Sequence, residues 1–119
     1  MDRRPHEAES ELRKALALGS TSASDYGALG WALVQLGRLD EALPIAEEAN
    51  RRAHEDFAVY CLYCGLMAHQ GRAKQVSQLF EFLERNSIQI QKLNPKAYQG
   101  GLSEKFAFAR SMMNNAGFA

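Results

Sequence analysis

Residues 25–84 read DYGALGWALVQLGRLDEALPIAEEANRRAHEDFAVYCLYCGLMAHQGRAKQVSQLFEFLE, and this stretch repeats itself at a constant offset of 34. The step carries Tyr26 to Tyr60, Leu29 to Tyr63, Leu33 to Met67, Gly37 to Gly71, Ala46 to Phe80 and Ala49 to Leu83. Each pair stays apolar or stays glycine. A pattern that recurs at equal intervals reports one supersecondary unit used more than once, and it decides the fold before any single residue does.

Each copy divides at its glycine. Before Gly37, Tyr26, Leu29, Leu33 and Leu36 make one apolar stripe at helical spacing, with Ser24 or Asp25 placed to cap the free amides. After the Gly37-Arg38 turn, residues 40–53 predict a second helix with Ala42, Leu43, Ala46 and Ala49 inward and Glu41, Glu47, Glu48, Arg51 and Arg52 outward. Pro44 is accommodated if it lies within the first turn or so, where little hydrogen bonding is lost. In the next copy, residues 57–70 are apolar on more than one face, which predicts a central helix contacted from two sides. Asp56 is its expected N-cap. Gly71-Arg72 repeats the turn, and residues 73–86 bury Val76, Leu79, Phe80 and Leu83, with continuation toward Ile90.

The flanks complete the array. Ala8, Leu12 and Ala15 stand 34 positions before Ala42, Ala46 and Ala49, so residues 5–19 read as the second half of a unit without its first. Beyond the second copy the period fails, because Pro95 and Gly100-Gly101 oppose a helix interior. Residues 94–101 are accordingly expected to be a loop. Residues 102–116, with Leu102, Phe106, Ala109 and Met113 on one side, predict a terminal helix capping the apolar end.

These residues resemble the tetratricopeptide (TPR) repeat, a 34-residue helix–turn–helix unit with the pattern W-x2-L-G-x2-Y and then A-x3-F. The first copy matches at Tyr26, Leu29, Gly30, Leu33, Gly37, Ala42, Ala46 and Ala49. In the second, Cys64 stands where the glycine would be and Val76 where the alanine would be. The resemblance implies an all-α, α-solenoid fold of about six helices in a single domain, with a half-repeat at 5–19, repeats at 23–56 and 57–90, and a capping helix at 102–116. It also implies a concave face lined by the first helix of each unit. Carried over by position, the partner-binding residues are Trp31, Val34 and Gln35 from one unit and Cys61, Gly65 and His69 from the next. Trp31 leads this set, since Tyr26 already fills the core tryptophan slot and an aromatic anchor is a frequent hot spot. The lysine and asparagine clamp for acidic C-termini has no counterpart at these positions.

Composition bounds the alternatives. Fourteen basic and fourteen acidic residues cancel, so no long-range field gathers nucleic acid or an anionic membrane. The tail cations Lys92, Lys96, Lys105 and Arg110 are a thin cluster. No apolar run approaches the roughly 18 residues of a membrane span, and Met1 to Pro5 carries charge in place of a signal-peptide core, which leads to an expected cytoplasmic location. Cys61 and Cys64 are half of a zinc or redox motif whose other half is missing, and they read better as small buried apolar residues. His6, His54 and His69 lie in three different segments, and no H-E-x-x-H, phosphate loop or G-x-S-x-G occurs. No enzyme activity, metal or cofactor is therefore expected.

The resulting expectation is a non-catalytic adaptor or scaffold binding a peptide segment of another protein. A small export chaperone of the type III secretion kind is the alternative reading. A third is self-association, because two and a half repeats are fewer than independent arrays usually use and the open N-terminal edge could accept a second copy. That same edge also fits a fragment of a longer array.

Overall fold

Proline starts the first helix, at a position where its missing amide hydrogen would have had no intrahelical acceptor. A computed structural model describes residues 4–20, 22–53 and 56–118, and among these every regular element is helical. Six helices have thirteen residues or more: α1 (Pro5–Ala17), α2 (Ala23–Gln35), α3 (Leu39–Arg52), α4 (Phe57–His69), α5 (Ser77–Leu93) and α7 (Ser103–Asn115). One further turn, α6 (Pro95–Ala97), lies between the last two. The all-α class and the helix count agree with the reading of the repeat. The chain divides into two compact units, residues 1–54 and 55–119, at the junction between the two copies of the pattern. His54 and Glu55, between the two copies of the pattern, and Thr21, before α2, lie outside the described residues.

In the first unit α2 and α3 form a tightly packed hairpin. Leu29 and Leu33 of α2 and Ala42, Ala46 and Ala49 of α3 are all 0% exposed. Three alanines at helical spacing let the leucine ridge approach closely. The turn is made by Gly37, at φ +76°, where the Arg38 amide donates to Leu33 O at 2.9 Å and the Gly37 amide to Val34 O at 3.0 Å. Gly71, at φ +80°, repeats the device, with Arg72 donating to Met67 O at 2.9 Å and Gly71 to Ala68 O at 3.0 Å. A left-handed residue without a Cβ closes both helices by the same 6→1 and 5→2 bonds, so the period of 34 extends to individual hydrogen bonds.

Two local expectations for this unit change. The N-cap of α2 is Ser22, whose Oγ accepts from the Ser24 amide at 3.1 Å and the Asp25 amide at 3.4 Å. Asp25 instead accepts from the Ser20 hydroxyl at 2.5 Å. Pro44 is the sixth residue of α3, slightly deeper than the sequence suggested, and it is exposed.

Helix α1 packs on α2 with Ala8, Leu12, Ala15 and Leu16 half-buried, and an ion-pair network ties it to the hairpin turn. Arg38 donates to Glu9 at 2.7 Å and to Glu41 at 2.8 Å, and Arg13 donates to Glu9 at 2.8 Å. Hydrogen bonds from Arg38 first, and for Glu9 also from Arg13, hold both carboxyls below the ordinary value of 4.5. A depressed folded pKa contributes stability above the unfolded pKa, and that contribution is lost as pH falls through the folded value. The melting temperature should therefore be level above about pH 5.5 and fall as pH drops below about 4.5. Arg38→Met is expected to lower the melting temperature at pH 7 and to flatten this acid limb, as read by circular dichroism between about pH 2.5 and 7. An acid limb unchanged in Arg38→Met would remove the network from the account.

In the second unit α4 is apolar all round, with Val59, Cys61, Leu62, Cys64, Gly65, Leu66, Met67 and Ala68 buried. It is the central helix of its unit, flanked by α5 and α7. Asp56 caps it, accepting from the Val59 amide at 3.2 Å. After Gly71 a 3-10 turn, Ala73–Val76, precedes α5, which extends to Leu93. The buried Ser87 hydroxyl returns to Glu84 O at 2.8 Å.

The loop expected at 94–101 is instead largely helical. Asn94 Oδ1 accepts from the Ala97 amide at 3.2 Å, and Pro95 takes the first helical position, which tolerates it. A π-type segment, Tyr98–Leu102, then runs into α7, with Gly101 at φ +135° carrying the change of direction. Proline opposes a helix interior, but here it stands at a helix start, where no amide hydrogen is required of it. No helix among the described residues is long and apolar enough to cross a membrane.

Candidate functional site

Helix α2 presents two surfaces because its apolar residues are not all on one side. Leu29, Ala32 and Leu33 are buried, while Trp31 and Val34, at i and i+3, remain half-buried, and Gln35 is exposed. Trp31 is the chain's single tryptophan. The Ser22 cap and the Ser20–Asp25 bond fix the start of this helix two turns before Trp31. At the same end, the Arg52 guanidinium lies 4.9 Å from the Tyr26 ring centroid, a cation–π contact joining α3 to α2. Glu48 accepts from Arg52 at 2.7 Å and also pairs with Arg51.

Of the three residues expected from α4, two are covered by the chain itself. Cys61 is 0% exposed, and Gly65, one turn on along the same face, is buried where α7 crosses. A Cβ at Gly65 would run into the Phe108 ring of α7. His69, a further turn along, is exposed. Within this unit the face of α4 that the sequence read as open is thus the seat of the terminal helix. Phe108 lies off the stripe of Leu102, Phe106, Ala109 and Met113 that the spacing picks out; its use shows only when it is set against the gap at Gly65.

The cysteines are sealed in. Burial pushes the Cys61 thiol up, and the Cys64 thiol is pushed up to about 12 for the same reason. Cys64 Sγ lies 3.9 Å from Val76 O and donates to it. Thiols this deeply protonated are poor nucleophiles and poor metal ligands at neutral pH, so both act as small packing residues. No group of three or more His, Cys, Asp or Glu side chains suited to a metal occurs among the described residues.

On its outer side α7 carries Arg110, whose guanidinium stands 4.8 Å from the Phe106 ring centroid. Two shallow hollows of about 350 and 520 Å³ share Arg110 and Asn114 in their walls. The geometry defines a class, an all-helical chain with two helix pairs turned by the same glycine device one period apart. No protein-family model, curated protein or solved structure matches it.

Proposed function

We propose that this chain is a TPR-type protein-interaction module without catalytic chemistry, holding a segment of another protein against α2 with Trp31 as the anchor and Val34 and Gln35 beside it. The observation that carries the reading is the contrast one period apart. On α4 the slot at Gly65 receives an aromatic side chain from a packed helix, while on α2 the equivalent slot holds Trp31, with part of its surface open. A half-open tryptophan flanked by a β-branched residue and an amide supplies apolar area and a hydrogen-bonding group at one place, the composition of a hot spot. Cys61 and Gly65 serve the fold in this reading, and His69 stays available to a partner's backbone.

The test is affinity capture from source cells with the wild-type chain and Trp31→Ala in parallel, followed by calorimetry on the captured partner. Trp31→Ala is expected to weaken binding about tenfold, roughly 1.4 kcal/mol, with the melting temperature nearly unchanged. Equal affinity with a lowered melting temperature assigns Trp31 to packing and removes α2 as the binding face.

A further inference from the structure

Charge is distributed unevenly between the two units. The ion pairs of Arg4, Arg13, Arg38, Arg51 and Arg52 with glutamates all lie within residues 1–54. Residues 55–119 hold seven basic residues against five acidic ones. Six of those seven, Arg72, Lys74, Arg85, Lys92, Lys96 and Arg110, are exposed and form no ion pair among the described residues. Unit 2 therefore carries cations that its own carboxylates leave uncompensated.

Those charges meet apolar surface on α5. Gln78, Glu81, Phe82, Arg85, Ile88, Gln89, Lys92 and Leu93 are all exposed, and at about 100° per residue they share an arc of roughly 140° over about 22 Å of helix. Arg85 and Lys92 occupy the middle of the arc. Ile88, 54% exposed, lies to one side, and Phe82 and Leu93, 36% and 82% exposed, lie to the other. Glu81 is the single acid on the stripe. Large apolar side chains at such exposure, interleaved with unpaired cations, are the pattern of a recognition face.

We propose that this outer face of α5 docks an acidic amphipathic helix of a partner protein, its carboxylates on Arg85 and Lys92 and its aliphatic edge on Phe82, Ile88 and Leu93. The dimensions suit a helix laid along α5, since the stripe is about four turns long and its cations are flanked by apolar residues on both sides. Two cations with aliphatics between them are too sparse for a nucleic-acid backbone, which requires a denser basic track with stacking rings. They are also fewer than the four to eight that hold a polybasic segment to an anionic bilayer. The stripe on α5 shares no residue with the Trp31 set on α2, so the two readings stand or fall independently.

The experiment uses the full chain and a fluorescein-labelled helical peptide of about 16 residues with glutamates along one side and leucines along the other, followed by anisotropy. Its controls are the same peptide with lysine for glutamate, a single-stranded RNA oligomer and phosphatidylserine vesicles. The acidic peptide is expected to bind and the basic one not. The double variant Arg85→Glu/Lys92→Glu should weaken binding at least about tenfold, and Ile88→Ser/Leu93→Ser about fivefold, with unchanged circular dichroism. Glu81→Lys should tighten binding about threefold, a gain that a damaged fold cannot mimic. Trp31→Ala should leave this binding as it is. Peptide affinity indifferent to charge reversal overturns the proposal. So does charge-dependent binding of the RNA or the vesicles in place of the peptide, or a concentration-dependent dimer that Ile88→Ser/Leu93→Ser abolishes.

Discussion

Phe106→Ala is expected to destabilise residues 55–119 by about 3–5 kcal/mol, the usual cost of removing a buried aromatic ring and leaving a cavity. The site explains the size of the effect. Phe106 is 3% exposed and draws rings from both other long helices of its unit. Phe80 of α5 stacks on it with centroids 5.8 Å apart and planes 6° apart, and Phe57 of α4 lies 6.2 Å away. Arg110 closes the solvent side. Phe106 is the ring that α4, α5 and α7 share, so its removal takes their common contact away together. Urea unfolding followed by far-ultraviolet circular dichroism measures the loss, and Trp31 fluorescence reports the first unit separately. A change within about 0.5 kcal/mol, the range of ordinary surface substitutions, would mean that α7 is not part of this core.

Gly65→Leu is the second large effect, about 1–3 kcal/mol or more from overpacking. The added Cβ runs directly into the Phe108 ring, and a leucine puts more side chain into the same space. The diagnostic result is the pair. Phe108→Ala placed in the Gly65→Leu background should recover part of the lost melting temperature, because the new side chain then takes the volume vacated by the ring. Independent, additive losses would show that leucine at 65 clashes with something other than Phe108. Full tolerance of Gly65→Leu would lift α7 off this face and reopen α4 as a binding surface.

Much of the fold could be read from neighbouring residues. Leu33 and Met67, one period apart, are 0% and 3% exposed, as a shared core position requires. Gly37 and Gly71 make the same turn by the same two hydrogen bonds. The apolar surround of residues 57–70 announced a helix packed from two sides, and α5 and α7 provide them. Where the sequence reading missed, the competing signals were close in strength. Ser22, Ser24 and Asp25 are all good N-caps, and the choice fell to the one that leaves Asp25 free to accept from Ser20. Pro95 suits a helix start as well as a loop, and Asn94 tipped it toward the former.

The candidate site was less accessible to such reasoning. Placing Trp31, Val34 and Gln35 on one side of α2 needs only helical periodicity; Trp31 and Val34 are half-buried and Gln35 is exposed. The covering of Cys61 and Gly65 depends on Phe108, 43 positions beyond Gly65. The bond from Arg38 to Glu9 spans 29 positions. Neither separation carries a periodic signature.

By itself the sequence determined the helices, their pairing and the turns between members of a pair, because those follow from side-chain spacing and backbone preference within one or two turns. Tertiary structure alone decided which face of α4 the last helix would cover and which cations would find no carboxylate. Both outcomes depend on shape and distance between residues that meet only after the chain has folded.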